Sequence, residues 1–129
     1  MTTNAEYAER RQRWLTALRS AEYKQARLRL YDPTTGGYCC LGVACAIFSE
    51  ELSIVKSSIE DTSDPIITYD GEAALLPASV QKHLGLRTSD GEISIDNSLT
   101  MLNDGGRPFS EIADIIERNT VSLFREGTL

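Results

Sequence analysis

Few residues in this sequence are suited to chemistry. Three cysteines, Cys39, Cys40 and Cys45, fall in one apolar stretch, and His83 is the single histidine. Three thiolates and an imidazole form a ligand set that zinc accepts, and a thiol beside an imidazole is a nucleophile–base pair. The spacing supports neither. There is no Cys-x-x-Cys pair, Cys39 and Cys40 diverge in a strand or a helix, and no ligand spacing surrounds His83. Free thiols packed in the core, in a reducing compartment, account for the run more simply. His83 titrates where a general base should, but no serine or cysteine motif marks a nucleophile beside it. Asp96, Asn97, Asn103 and Asp104 offer oxygens near two turns, where magnesium could sit. The same residue types cap helices and form turns. Gly105-Gly106 stands before a helix with Arg107 ready to meet phosphate, yet no phosphate-loop pattern surrounds it and Asp104 opposes an anion. No catalytic residue, metal ligand or cofactor is assigned from these patterns.

Charge gives a stronger lead. The net charge is −6, unevenly spread: residues 1–31 carry seven Lys/Arg against three Asp/Glu, and the remainder carries six against sixteen. An acidic chain does not coat a duplex, so nucleic acid is a poor partner. Tyr7, Trp14 and Tyr23 could stack on single-stranded bases only if exposed, and Trp14 has the position of a core anchor. The basic opening suits a contact with another protein, or a head-to-body contact between identical chains. Arg10, Arg13, Arg27 and Arg29 are the expected contact residues, with Arg107 as a further candidate near an anionic group.

These side chains must be positioned by short elements. A helix capped by Asn4 and running to about Arg19 places Trp14 and Leu18 inward. Arg27 to Tyr31 alternates polar and apolar residues, which predicts a strand with Leu28 and Leu30 inward. Asp32 to Gly37 is a turn. Leu41, Ala44, Cys45 and Phe48 predict a helix from about Leu41 to Leu52, with Gly42 allowing close packing. Residues 54–65 read as a loop with one short element. Ile66 to Tyr69 predicts a strand that turns at Asp70-Gly71 and returns over residues 72–76. Pro77 to Leu84 predicts a helix stopped by Gly85, Glu92 to Ile95 a strand, and Asn97 or Ser98 the start of a helix carrying Leu99 and Leu102. After Pro108 a further helix buries Ile112, Ala113, Ile115 and Ile116, and Val121, Leu123 and Phe124 close the chain. The expected fold is therefore α+β: one compact domain over residues 1–129, with several short helices and a small antiparallel sheet or hairpins. Residues 53–75 form a specialised loop and hairpin region. No apolar run approaches the ~20 residues that span a bilayer, and residues 1–13 have no apolar signal core; no membrane partner and a cytoplasmic location are expected.

Tyr38-Cys39-Cys40-Leu41-Gly42-Val43 resembles a segment of a family of small uncharacterised proteins found in bacteriophages and bacteria. Glu22-Tyr23-Lys24-Gln25, Leu76-Pro77, His83-Leu84-Gly85-Leu86, Leu102-Asn103-Asp104-Gly105 and the stretch from Phe109 to Glu117 are similar to further islands of that family, in the same order. One departure is Pro108, where a serine or threonine cap would be expected with Glu111 completing a capping box. The resemblance carries no catalytic residue onto this chain. It implies a noncatalytic phage or prophage accessory protein that binds a host protein or modulates a host process, inside the bacterial host cell. Two other readings compete: a protein that binds or sequesters a small ligand or nucleotide, with Arg107 or the opening arginines near phosphate, and a compact hydrolase with His83, Asp96 and Asp104 as its acid–base or metal groups.

Overall fold

The first helix, α1 (Asn4–Arg19), starts one residue earlier in its capping than expected. Thr3, not Asn4, is the cap. Its hydroxyl accepts from the Glu6 N–H at 3.1 Å and the Glu6 carboxylate reaches back to the Thr3 N–H at 3.4 Å, the reciprocal pair of a capping box. Asn4 instead donates to the Leu129 carbonyl at 2.7 Å, tying the two ends of the chain. The helix buries Trp14, Leu15 and Leu18 along one stripe.

That stripe packs on α2 (Cys40–Phe48), which is shorter than the expected Leu41–Leu52 and is buried almost all round. A helix so enclosed must be apolar on every side, which explains why its sequence has little amphipathic contrast. The computed structural model describes residues 2–59 and 64–129. Among these, α2 is central, with α1, α3 (Ala78–Leu84) and α4 (Leu99–Asp104) against it and α5 (Phe109–Arg118) closing the far side of α1 and α4. α6 (Thr120–Leu123) and a single 3₁₀ turn (Glu126–Thr128) follow; Leu123 and Phe124 dock into the core while Val121 is exposed. Three two-stranded antiparallel sheets complete an α+β fold: β1 (Tyr31–Asp32) with β2 (Gly37–Tyr38), β3 (Lys56–Ile59) with β4 (Ile66–Tyr69), and β5 (Glu92–Ser94) with β6 (Asn97–Ser98). No helix among the described residues is long and apolar enough to cross a membrane.

Two strand expectations fail for stated reasons. The alternation of Arg27 to Tyr31 does not make a strand, and only Tyr31 enters one. Leu28 has φ +67°, which turns the chain out of a pleat, so Leu30 is buried but Leu28 is 73% exposed. Residues 72–76 do not return as a strand beside β4, whose partner is β3, with Lys56 opposite Tyr69. The Asp70-Gly71 turn does form, and a single Tyr69–Glu72 bridge follows it. Beyond that bridge, the Ala73 carbonyl accepts from the Leu30 N–H and the Leu76 N–H donates to Ser89, so the segment's backbone groups are committed elsewhere. Of the region at 53–75, residues 60–63 lie outside the described residues.

The helix ends follow local chemistry. Gly85 closes α3 at φ +78°, and the Leu86 N–H returns to the Gln81 carbonyl at 3.0 Å, the left-handed stop expected from Gly-Leu. α5 begins directly after Pro108 without a side-chain cap. Glu111, which would have completed a capping box, pairs with Arg107 instead.

Gly42 is a packing requirement rather than a helix defect. A Cβ there would sit 1.7 Å from the Leu30 carbonyl oxygen. Gly42→Ala is expected to lower stability in urea by at least about 2 kcal/mol, since the obstacle is backbone. Gly127→Ala, with open space around it, is the control and should leave the midpoint nearly unchanged. Equal midpoints for wild type and Gly42→Ala would refute the close approach.

Candidate functional site

The segment between α1 and β1 is held by two distant parts of the chain. Asn103, on the last turn of α4, is fully buried. Its amide nitrogen donates to the Ala26 carbonyl at 2.8 Å, and its amide oxygen accepts from the Cys40 N–H at 3.2 Å and from the Gln25 side chain at 2.9 Å. Gln25 also donates to the Arg107 carbonyl at 2.7 Å. Asp104, the next residue, faces the other way and accepts from the Leu28 N–H at 2.8 Å. Gly42 lets the Leu30 backbone lie against α2. The Cys39-Cys40-Leu41-Gly42 and Leu102-Asn103-Asp104-Gly105 motifs therefore converge on one loop, residues 25–30.

What this clamp presents is Arg27-Leu28-Arg29. Leu28 projects into solvent beside a recess of about 290 Å³ lined by Arg29, Cys39, Leu75, Thr100 and Asp104. Leu75 is also substantially exposed. Arg27 is exposed, lies over Gly106 and makes no ion pair among the described residues. Arg29 pairs with Asp64, and Arg107 with Glu111.

The other two expected contact residues have different surroundings. Arg10 donates to the His83 carbonyl at 3.1 Å and lies 3.8 Å from Glu6. Arg13 stacks over Phe48 at 4.9 Å and pairs with Glu51 at 2.9 Å. The five arginines thus divide between the clamped loop and a staple joining α1 to α2 and α3.

His83 belongs to that staple. Its Nε2 meets the Glu51 carboxylate at 3.0 Å, and its ring stands edge-on to Phe48 at 4.9 Å. Burial lowers its pKa and Arg10 pushes the same way, outweighing Glu51. Ser79, one turn earlier, has a buried hydroxyl with no hydrogen-bond partner. Serine, histidine and glutamate are the residue types of an acyl-transfer triad, but here the hydroxyl is sealed from solvent and unbonded to the ring, so His83 does not activate it. Asp96 is an exposed turn residue. Among the described residues, no three His, Cys, Asp or Glu side chains gather as metal ligands.

The thiols are interior groups. All three are free and buried. Cys39 caps α2, its sulfur accepting from the Gly42 N–H at 3.3 Å. Burial pushes its thiol up to about 11 and raises Cys40 and Cys45 as well, so none is a thiolate at neutral pH. Trp14 is equally committed: fully buried, it donates to the Cys40 carbonyl at 3.0 Å and offers no stacking face. At Gly105-Gly106-Arg107 the three backbone N–H groups donate to Met101, Asn103 and Leu102, leaving none directed at an anion.

A family model described as Domain of unknown function (DUF8296) matches residues 7–120. The chain belongs to this family. No curated protein and no solved structure matches it. The DUF8296 span runs from the first turns of α1 to the start of α6, so it includes the whole clamp and the staple of Arg13, Glu51 and His83.

Sequence reasoning named Asn103 and Asp104 only as cap, turn or metal oxygens and missed their part in the clamp. The available signal was Leu-Asn-Asp-Gly itself: a helix ending on two short polar residues, one of which has no solvent to face.

Two outcomes follow from this geometry. Asn103→Ala strands a buried carbonyl, a buried N–H and the Gln25 amide, and is expected to cost about 2–4 kcal/mol, with faster hydrogen exchange at the Cys40 and Leu28 amides; unchanged exchange at both would remove the clamp. His83 is the only histidine, and its folded pKa lies below its unfolded value. The unfolded chain therefore binds more protons as pH falls through about 6.5 and below. Stability should decline from pH 7 to 5.5 in wild type and stay flat in His83→Gln; parallel curves would contradict the assignment.

Proposed function

We propose that this chain is a noncatalytic accessory protein of phage or prophage origin that binds a host protein through the Arg27-Leu28-Arg29 loop. The carrying observation is Leu28. A branched, apolar side chain at φ +67° is held there by Asp104 and remains 73% exposed. A left-handed non-glycine residue costs about 1–2 kcal/mol, and here no burial within the chain offsets it. The reversal serves the packing of residues 25–30, but the side chain it sets outward is left for a partner to bury, and strained residues cluster at functional sites. A leucine set beside a recess is an anchor that a partner can enclose.

The partner chemistry follows from the rim. Arg27 is unpaired among the described residues, and Arg29 and Arg107 sit in exposed ion pairs, which exchange at small cost. An acidic protein surface carrying one apolar side chain fits both the arginines and the recess. The net charge of the chain is negative, but charges beyond roughly 8–10 Å are screened at physiological salt, so the local arginines govern the final approach.

Leu28→Gly tests the reading because glycine tolerates the same φ. Relief of strain and the added chain entropy of glycine, each about 1 kcal/mol, should nearly cancel, leaving the melting temperature close to wild type. Immobilised wild type should retain a defined bacterial protein that Leu28→Gly and Arg27→Glu do not. Equal retention by all three would overturn the site. Retention of only the chain itself, with Leu28→Gly monomeric in solution, would replace the host protein by a second copy.

A further inference from the structure

A second recess, which none of Arg27, Leu28 or Arg29 lines, is built from tyrosines and one lysine. Cross-strand pairing creates it. β1 and β2 place Tyr31 opposite Tyr38, and their rings stand 4.8 Å apart. β3 and β4 place Lys56 opposite Tyr69. β1 meets β4, and the Lys56 ammonium lies 4.5 Å over the Tyr31 ring and 5.8 Å from that of Tyr69. The result is a pocket of about 310 Å³ between these hairpins and the end of α2, walled by Tyr38, Ala46, Ile54 and Tyr69, with Glu50 and Lys56 among its lining groups.

Two polar groups of this pocket have no protein partner among the described residues. Tyr69 is only 2% exposed as a residue, but its hydroxyl is not among the sealed polar atoms; it lines the recess and makes no hydrogen bond among the described residues. Lys56 has no carboxylate within ion-pair distance among the described residues, in a chain that is strongly acidic beyond residue 31. Its ammonium is held by ring faces instead, a contact that leaves its N–H groups free.

We propose that this pocket binds a small monocarboxylate with an apolar body. Lys56 meets the carboxylate, the Tyr69 hydroxyl donates to it, and Ala46, Ile54 and the Tyr38 ring enclose the body. Burial raises the pKa of both Tyr38 and Tyr69, so each phenol stays protonated and able to donate. A pocket near 300 Å³ with an apolar wall and a few convergent polar groups matches the general form of small-ligand sites. Charge selects the headgroup. Lys56 supplies the one cation of the lining, and the exposed Glu50 repels anions in proportion to their charge, so a phosphate dianion is disfavoured more than a monocarboxylate. This ligand site is independent of the protein-contact loop and stands whether or not that loop binds a partner.

Benzoate is the probe, with phenyl phosphate and benzyl alcohol as comparators, each titrated into the full chain and followed by the amide and aromatic NMR resonances. Benzoate should bind saturably, moving the Tyr38, Tyr69 and Lys56 signals, while benzyl alcohol does not. Lys56→Met and Tyr69→Phe should each weaken benzoate at least tenfold. Lys56 is exposed, so its variant keeps the test informative if the tyrosine variant is unstable. No saturable benzoate binding, equal binding by both variants, or phenyl phosphate binding tenfold tighter than benzoate would each overturn the assignment.

Discussion

The carboxamide of Asn103 is the interaction on which the surrounding architecture depends. It is completely buried and uses both ends, donating to Ala26 and accepting from Cys40 and Gln25. A buried amide of this kind is stabilising only when fully bonded. Satisfying it forces three separate segments into register: the start of α2, the end of α4, and the chain before β1. None of these is fixed by local propensity. α4 has six residues and β1 has two, lengths at which isolated elements do not hold their shape.

The same constraint explains the two other unusual features nearby. Drawing the Gln25–Leu30 segment onto α2 brings the Leu30 carbonyl where a side chain at position 42 would stand, so only glycine fits. Leading the chain from Ala26, bonded inward, to Leu30, buried, over so few residues requires a reversal, and Leu28 makes it at positive φ with its N–H fastened to Asp104. A loop bonded from both sides in this way has little freedom left, which suits a contact surface because less entropy is lost on binding.

Much of the helical structure was legible from sequence, because its signals are local. Periodicity located α1, α3 and α5, and Gly85 followed by Leu86 marked a left-handed stop. Trp14, Leu18, Ile112 and Ile116 were recognisable as core by spacing. The strands were less legible. Arg27 to Tyr31 has the alternation of a half-buried strand, but alternation reports side-chain direction only if the backbone stays extended, and one left-handed residue voids it. Residues 72–76 carry a good hairpin turn before them, yet their backbone groups are taken by Leu30 and Ser89, partners that no local pattern reveals. The candidate site was half legible: arginines at 27, 29 and 107 were named from charge, whereas the leucine between two of them was assigned to the interior.

Composition also concealed how the arginines are used. The basic opening segment suggests a single positive surface, but guanidinium groups serve equally well as internal connectors, since five N–H donors and a planar face meet carbonyls, carboxylates and rings. Arg11 lies over Phe124 and donates to Thr128, Arg13 covers Phe48, and Arg19 joins α1 to Asp114 and Glu117 on α5. These residues bind the opening helix to an acidic body, converting the charge asymmetry of the sequence into tertiary contacts. Arg27 differs: it is exposed, lies against Gly106 and has no carboxylate within ion-pair distance among the described residues. The loop geometry, rather than the number of arginines, therefore sets where positive charge remains available to a partner.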